Sequence, residues 1–276
     1  MRHPLTCIFA ATSLIGLQPA GARDITLTRI ASIPLSSVEA AVANPARSPD
    51  ARARDRYRHP VETLRFFDVE PGQRVVEFLP GGGWYTNILA PLLRERGEYV
   101  ALVGAGSRAV TSTATLLAQH RDFYGETQLA TIDFGTGATS LAPNSVDRIL
   151  TFRNIHNLVP LGEEGIVRVF AGFYAALKPG GMLGVVDHRL PEQADPGREQ
   201  TSGYVRQSTV IRVAEKAGFR LVASSDINAN PRDSADWPDG VWTLPPTLKL
   251  GPQNRERYLA IGESDRMTLK FVKPAS

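Results

Sequence analysis

Val75-Val76-Glu77-Phe78-Leu79-Pro80-Gly81-Gly82-Gly83-Trp84-Tyr85-Thr86 is a short apolar run that stops at an acidic residue and then breaks into three glycines. The run reads as a buried first strand, and the glycines as a turn where backbone must come close to another group. Ile88, Leu89, Leu92 and Leu93 then recur at helical spacing. The turn therefore opens a helix whose first N–H groups have no intrahelical partner and point back at the strand end. This is the signature of a nucleotide-sized site, although a glycine turn alone also serves tight turns that hold nothing. Glu77 adds a carboxylate able to meet a cationic or hydroxyl-bearing ligand, and strands alternate with helices through most of the chain that follows.

The 276 residues, 42% of them hydrophobic, suffice for one large α/β domain with decorations. A net charge of +3 is small for this length and gives no reason to expect nucleic acid as a partner. Residues 1–22 have the three parts of a secretory signal: Arg2, an apolar run from about Leu5 to Leu17, and Ala20-Gly21-Ala22 ahead of Arg23. The expectation is an exported, periplasmic protein whose mature chain begins near Arg23. Cys7, the sole cysteine, lies inside that segment, so disulfides, thiolate metal sites and cysteine nucleophiles are excluded from the mature chain. No later stretch approaches the ~20 apolar residues that span a bilayer. Residues 23–60 read as an N-terminal extension with one short helix around Ser36–Ala43. It ends in the basic cluster Arg52-Ala53-Arg54-Asp55-Arg56-Tyr57-Arg58-His59-Pro60. There Arg54, Tyr57, Arg58 and His59 form either a solvated helix face or the roof of a pocket for an anionic group. Residues 61–276 are the main domain.

Beyond the glycine turn, further strands are expected at Tyr99–Val103, Gln128–Phe134, Val146–Phe152, Met182–Val186, Phe219–Ser225 and Met267–Val272, the last antiparallel to its predecessor. In nucleotide-binding α/β folds an acidic residue about twenty positions past the glycines holds ribose hydroxyls. Here Val103-Gly104-Ala105-Gly106-Ser107 fills that place and offers no carboxylate. Asp133 is either a carboxylate beside a bound purine or a turn former before Gly135. Two strands run out into histidine-bearing polar clusters, Arg153-Asn154-Ile155-His156-Asn157 and Asp187-His188-Arg189, at the sheet edge where open α/β folds bind ligands. Residues 226–250 combine Asn, Pro, Asp and two tryptophans in one irregular stretch, which predicts a lid loop rather than disorder.

Glu77 with Gly81–Gly83, Asp133-Phe134, the Pro-x-Ser-x-Asp approach to the fourth strand, Leu177-Lys178-Pro179-Gly180-Gly181 and the final antiparallel strand together resemble class I S-adenosylmethionine-dependent methyltransferases. Tyr57-Arg58-His59-Pro60, Pro80–Thr86, Arg153–Asn157 and Asn228–Asp233 are more narrowly similar to an exported bacterial group of predicted methyltransferases. The resemblance implies a three-layer Rossmann-like α/β fold with a mostly parallel seven-stranded sheet and an antiparallel last strand. It implies S-adenosyl-L-methionine as cofactor, with Gly81, Gly82 and Gly83 at its amino-acid end and Glu77 close by, Asp133 and Phe134 at the adenine, and Tyr85 and Asn154 as further cofactor contacts, Asn154 also lying near the methyl acceptor with His156 and Asp187–Arg189.

Methyl transfer from a sulfonium is an in-line displacement in which the enzyme chiefly aligns nucleophile and methyl carbon. A base is needed only for a protonated acceptor, and His156, His188 and Asp187 are the candidate catalytic residues. Adjacent strand residues point to opposite faces, so only one of Asp187 and His188 need face a pocket. Tyr57, Arg58, Arg189, Tyr204, Arg206, Arg232 and Trp237 are candidates to contact a small-molecule substrate, and Tyr204, Arg206, Arg232 and Arg266 could bind a carboxylate or phosphate on it; each has an alternative as a surface ion pair or packing residue. No close-spaced His motif predicts a metal, and no nucleophile elbow is present. Two rival readings stand beside the methyltransferase. A non-catalytic small-molecule or nucleoside-binding protein suits the missing ribose carboxylate, whereas an NAD-linked oxidoreductase is disfavoured by it and by the antiparallel last strand.

Overall fold

The computed structural model describes residues 37–275; the expected export signal and the residues up to 36 lie outside the described residues. In chain order the helices are α1 (Val38–Ala43), α2 (Pro49–Ala53), α3 (Asp55–Arg58), α4 (Pro60–Phe66), α5 (Thr86–Leu93), α6 (Arg108–Gln119), α7 (Arg121–Tyr124), α8 (Gly162–Ala176), α9 (Gln207–Lys216) and α10 (Arg255–Ile261). The strands are β1 (Arg74–Phe78), β2 (Glu98–Gly104), β3 (Thr127–Ile132), β4 (Val146–Phe152), β5 (Leu177–Leu190), β6 (Val205–Arg206), β7 (Arg220–Ser225) and β8 (Arg266–Val272). The sheet order is β3-β2-β1-β4-β5-β8-β7, with the two-residue β6 paired to the end of β5. Strands β3 through β5 along that order are parallel, and β8 runs antiparallel to both β5 and β7.

The period-2 alternation of strand side chains divides the core into two layers. Val76, Phe78, Ile149, Leu183 and Val185 join Ile166, Val169, Phe170 and Phe173 of α8 on one face. Val75, Tyr99, Leu150 and Val186 join Ile88, Leu89, Leu92 and Leu93 of α5 on the other. Glu77 shares its parity with Val75, so its carboxylate is delivered to the α5 layer. The segment expected as an extension is packed there too: Val38 and Ala41 are buried in the α5 layer beside Leu64 and Phe67. Ser37 caps α1 by accepting the Ala40 N–H, which fixes the start of this docked segment. A third cluster, formed by Leu190, Tyr204, Ala235, Trp237, Val241, Leu244 and Tyr258, gives the irregular 226–250 stretch a core of its own. No helix among the described residues is long and apolar enough to cross a membrane.

Candidate active site

Strands β1 and β4 are neighbours, and each is followed by a non-glycine residue in the left-handed region: Leu79 at φ +50° and Arg153 at φ +66°. Left-handed backbone costs such residues on the order of 1 kcal/mol each, and it persists where the surroundings impose it. The imposing group is Asn154, whose amide donates to the Phe78 carbonyl at 2.9 Å and the Leu79 carbonyl at 3.2 Å. Asn154 thus staples the glycine turn to the end of β4. Gly81, itself at φ +58°, has open space where a Cβ would stand, and so does Gly82. Gly83 has a different role, because a Cβ there would meet the Leu116 side chain of α6 at 2.8 Å.

Gly81 and Gly82 floor a cavity of about 470 Å³, walled by Glu77, Trp84, Tyr85, Phe152, Asn154 and several arginines. Glu77 is buried, and its Oε2 accepts from the Thr86 hydroxyl at 2.8 Å and the Tyr99 hydroxyl at 2.7 Å. Burial pushes its carboxyl up to about 7 against the downward pull of those two hydrogen bonds. Tyr85 stacks on Phe152 with centroids 3.5 Å apart and donates to the Arg58 carbonyl. The roof comes from Ser48–Arg58, including Arg54 and Arg58. The roofing alternative for the basic cluster therefore describes those two arginines, while Tyr57 lies at a separate small cleft with exposed Arg232.

A second cavity of about 260 Å³ adjoins the first and shares Arg153, Asn154 and Pro246 with it. His156 and His188 line it, their rings 5.1 Å apart, and Trp242, Pro245 and Thr247 of the 226–250 loop cover it. Asp187 is wholly buried and reaches this site only through His156: its Oδ1 lies 2.8 Å from His156 Nδ1 and also accepts the His188 N–H. Its Oδ2 accepts the Ile155 and His156 N–H groups. A carboxylate filled with N–H donors fixes Nδ1 as the protonated nitrogen and leaves Nε2 as the acceptor. His188 Nδ1 is bonded to the Ser264 hydroxyl, and burial, then His156 and three arginines, holds its pKa well below the ordinary 6.5. Spacing gave no reason to expect a metal, yet the His156, Asp187 and His188 donors lie within 4.8 Å of one another. With four N–H groups already on Asp187, the arrangement is that of an oriented imidazole.

Of the other sequence candidates, Arg266 lines the first cavity, whereas Arg189, Arg206, Tyr204, Trp237 and Asp133 have partners within the protein and line neither. Arg189 makes a two-pronged pair with Asp265 and a further one with Asp226. Arg206 pairs with Glu199, and Tyr204 and Trp237 both donate to Asp233 in the third core cluster. Asp133 is exposed and accepts the Gly135 and Thr136 N–H groups, the turn-forming alternative of its two readings. Phe134 covers the end of β2, where a Cβ on Gly104 would lie 2.7 Å from its ring. The site residues that sequence reasoning missed are Glu263, in the acidic run ahead of β8, and Arg153, read only as part of a polar cluster.

The sequence matches no protein-family model and no curated protein. Solved structures share its fold. A SAM dependent methyltransferase from Aquifex aeolicus aligns at 15% identity with a TM-score of 0.54, over 82% of this chain and 94% of that one. The [4+2]-cyclase SpnF aligns at 16% identity with a TM-score of 0.58, over 85% and 86%. Haemonchus contortus phosphoethanolamine N-methyltransferase 2 in complex with S-adenosyl-L-methionine aligns at 16% and 0.53, over 79% and 53%. The chain therefore has the Rossmann-like fold of class I methyltransferases, with the glycine turn, both cavities and the His156–Asp187 pair at the carboxyl ends of its parallel strands.

Proposed function

We propose that this protein is an S-adenosyl-L-methionine-dependent methyltransferase acting on a small molecule. The observation that carries the reading is the adjacency of the two cavities: one opens on the glycine turn, the other is lined by an oriented histidine, and Arg153 and Asn154 line both. A cavity of about 470 Å³ is in the range of small-molecule sites, and the open space at Gly81 and Gly82 lets a ligand approach the backbone closely. These features fit the amino-acid end of the donor; Gly104 and Phe134 do not line this cavity, and the segment after β2 offers no ribose carboxylate. When bound, the donor supplies an electrophilic methyl group on a sulfonium. The chain's own residues do the rest. Asn154 holds the glycine turn in register, Asp187 orients the His156 ring, and Nε2 takes the proton from the acceptor's nucleophile. His188, held neutral by burial and the neighbouring cations, packs beside that ring.

Calorimetric titration with S-adenosylmethionine, S-adenosylhomocysteine and NAD tests the donor assignment. Binding of the first two and not the third is expected, and no binding of either would remove the methyltransferase reading. The base has its own test: Asp187→Asn and His156→Ala should each lower turnover about 100-fold while leaving S-adenosylhomocysteine affinity intact. A second reading is favoured by the missing carboxylate after β2 and by the cyclase among the structures of the same fold. It is a binding protein, or an enzyme of other chemistry, that keeps the fold without transferring methyl groups. We also propose that residues 1–22 direct export and that the chain sits with the exported bacterial group; cell fractionation and N-terminal sequencing check both.

A further inference from the structure

Four guanidinium groups, from Arg54, Arg58, Arg153 and Arg266, line the cavity over the glycine turn. One carboxylate serves three of them: Glu263 accepts from Arg54 Nε at 2.7 Å and Arg58 Nε at 3.0 Å, and lies 3.3 Å from Arg266 Nη1. Burial alone would lift the Glu263 carboxyl, but Arg266, Arg58 and Arg54 hold it down at about 2, so it is fully ionised. The remaining acids at this cavity supply little counter-charge, because Glu77 is pushed up to about 7 and Asp50 is exposed at the rim. Three donors around the cavity are buried without a partner among the described residues: Arg54 Nη2, Arg58 Nη2 and Arg153 Nε. Arg58 is only 4% exposed and is held over the Trp84 ring at 4.5 Å, so its free donor cannot swing out to water. Unpaired buried donors on cations are among the costliest features a fold can keep.

S-adenosylmethionine does not relieve this excess, since its sulfonium and ammonium outweigh its single carboxylate and make it a net cation. Placing it beside four guanidiniums is favourable only if an anion is there as well. The arginines also stand at the junction of the two cavities, because Arg153 lines both and Glu263 lines the histidine cavity. Resting on the methyl-donor reading for its geometry, we propose that the acceptor carries a carboxylate or phosphate group, bound by Arg54, Arg58, Arg153 and Arg266 around Glu263. That group anchors the acceptor so that its nucleophile lies toward His156. The arginine fork matches both anions, which is why the shared chemistry is named.

The test is calorimetry on the full chain with inorganic phosphate and with succinate, alone and with saturating S-adenosylhomocysteine. Wild type should bind at least one with a Kd of about 1 mM or tighter. Arg153→Gln and Arg54→Gln should each weaken that binding about tenfold, and Arg212→Gln, on the far surface of α9, should not change it. Thermal melts verify folding, and Arg54, at 27% side-chain exposure, is the variant that survives if Arg153→Gln does not. Binding of neither anion, or binding indifferent to both substitutions, overturns the proposal. Displacement of the anion by S-adenosylhomocysteine also overturns it, because the arginines would then hold the donor's own carboxylate. Retained anion binding in a protein that ignores S-adenosylhomocysteine supports the anion site and defeats only the donor reading.

Discussion

Asp233 and the arginines around Glu263 are both buried, charged and carried partly by irregular backbone, yet their hydrogen bonding differs completely. Asp233 accepts from Tyr204 OH, Trp237 Nε1 at 2.6 Å and the Ala235 and Asp265 N–H groups, so both oxygens are filled. No buried side-chain atom of Asp233, Tyr204 or Trp237 lacks a partner. The arginine group instead keeps three free donors and crowds its cations onto one acid. A complete polar network rigidifies the stretch it sits in, whereas an incomplete one in a cavity wall marks where a ligand completes it. The tyrosine and tryptophan that composition suggested for substrate contact belong to the first kind.

That contrast is broken most directly at Asp233. Asp233→Ala leaves the Tyr204 hydroxyl and the Trp237 indole N–H buried without an acceptor in the third core cluster. Urea unfolding should show a loss of about 3 to 5 kcal/mol, with the folded variant still binding whatever the wild type binds. A loss below about 1 kcal/mol would mean that the network is not what holds the 226–250 stretch in place.

Glu77 lies between the two kinds, with two hydroxyl donors on one oxygen and a cavity beside it. Its folded pKa of about 7 stands above the ordinary 4.5, so between those values the folded chain holds a proton that the unfolded chain has released. Stability therefore falls as pH rises from 4.5 to about 7 and is level above. The decline amounts to about 3 kcal/mol. Glu77→Gln keeps an acceptor for Thr86 and Tyr99 and should remove this decline. Denaturation of both proteins at matched pH values reads it, and identical profiles would sink the idea that Glu77 is protonated in the free protein.

Much of the sheet was legible because its central strands are apolar runs ended by a turn former or an acid, as with Val75–Phe78 before Pro80 and Tyr99–Val103 before Gly104. Strand-end reasoning also put His156 and Asp187 at one sheet edge as candidates. Their contact was not legible, since it joins residues 31 apart, one in the turn after β4 and the other on the neighbouring β5. The same limit explains the substrate candidates. Arg189 and Tyr204 look free in sequence because Asp265 and Asp233, which occupy them, are 76 and 29 residues away. Composition identifies a polar side chain but does not say whether its hydrogen bonds are already spent. Glu263 escaped notice for that reason: only the fold brings Arg54 and Arg58, more than 200 residues earlier, onto it.

Asp133 is where the smallest effect decides the most. Its Oδ1 accepts two N–H groups at 2.8 Å each, which depresses its carboxyl below the usual range, and it is exposed at the end of β3. As a turn former it belongs with Asp233, but because water can replace its bonds, Asp133→Ala should lower the melting temperature only slightly. Asp133→Asn keeps an acceptor oxygen and should cost almost nothing. On this reading neither variant alters S-adenosylhomocysteine affinity. If instead the second oxygen serves a bound purine, Asp133→Asn would lose about tenfold in affinity at unchanged stability. Melting curves and one titration per variant separate the cases, and the latter result would move Asp133 from the self-satisfied carboxylates to those completed by a ligand.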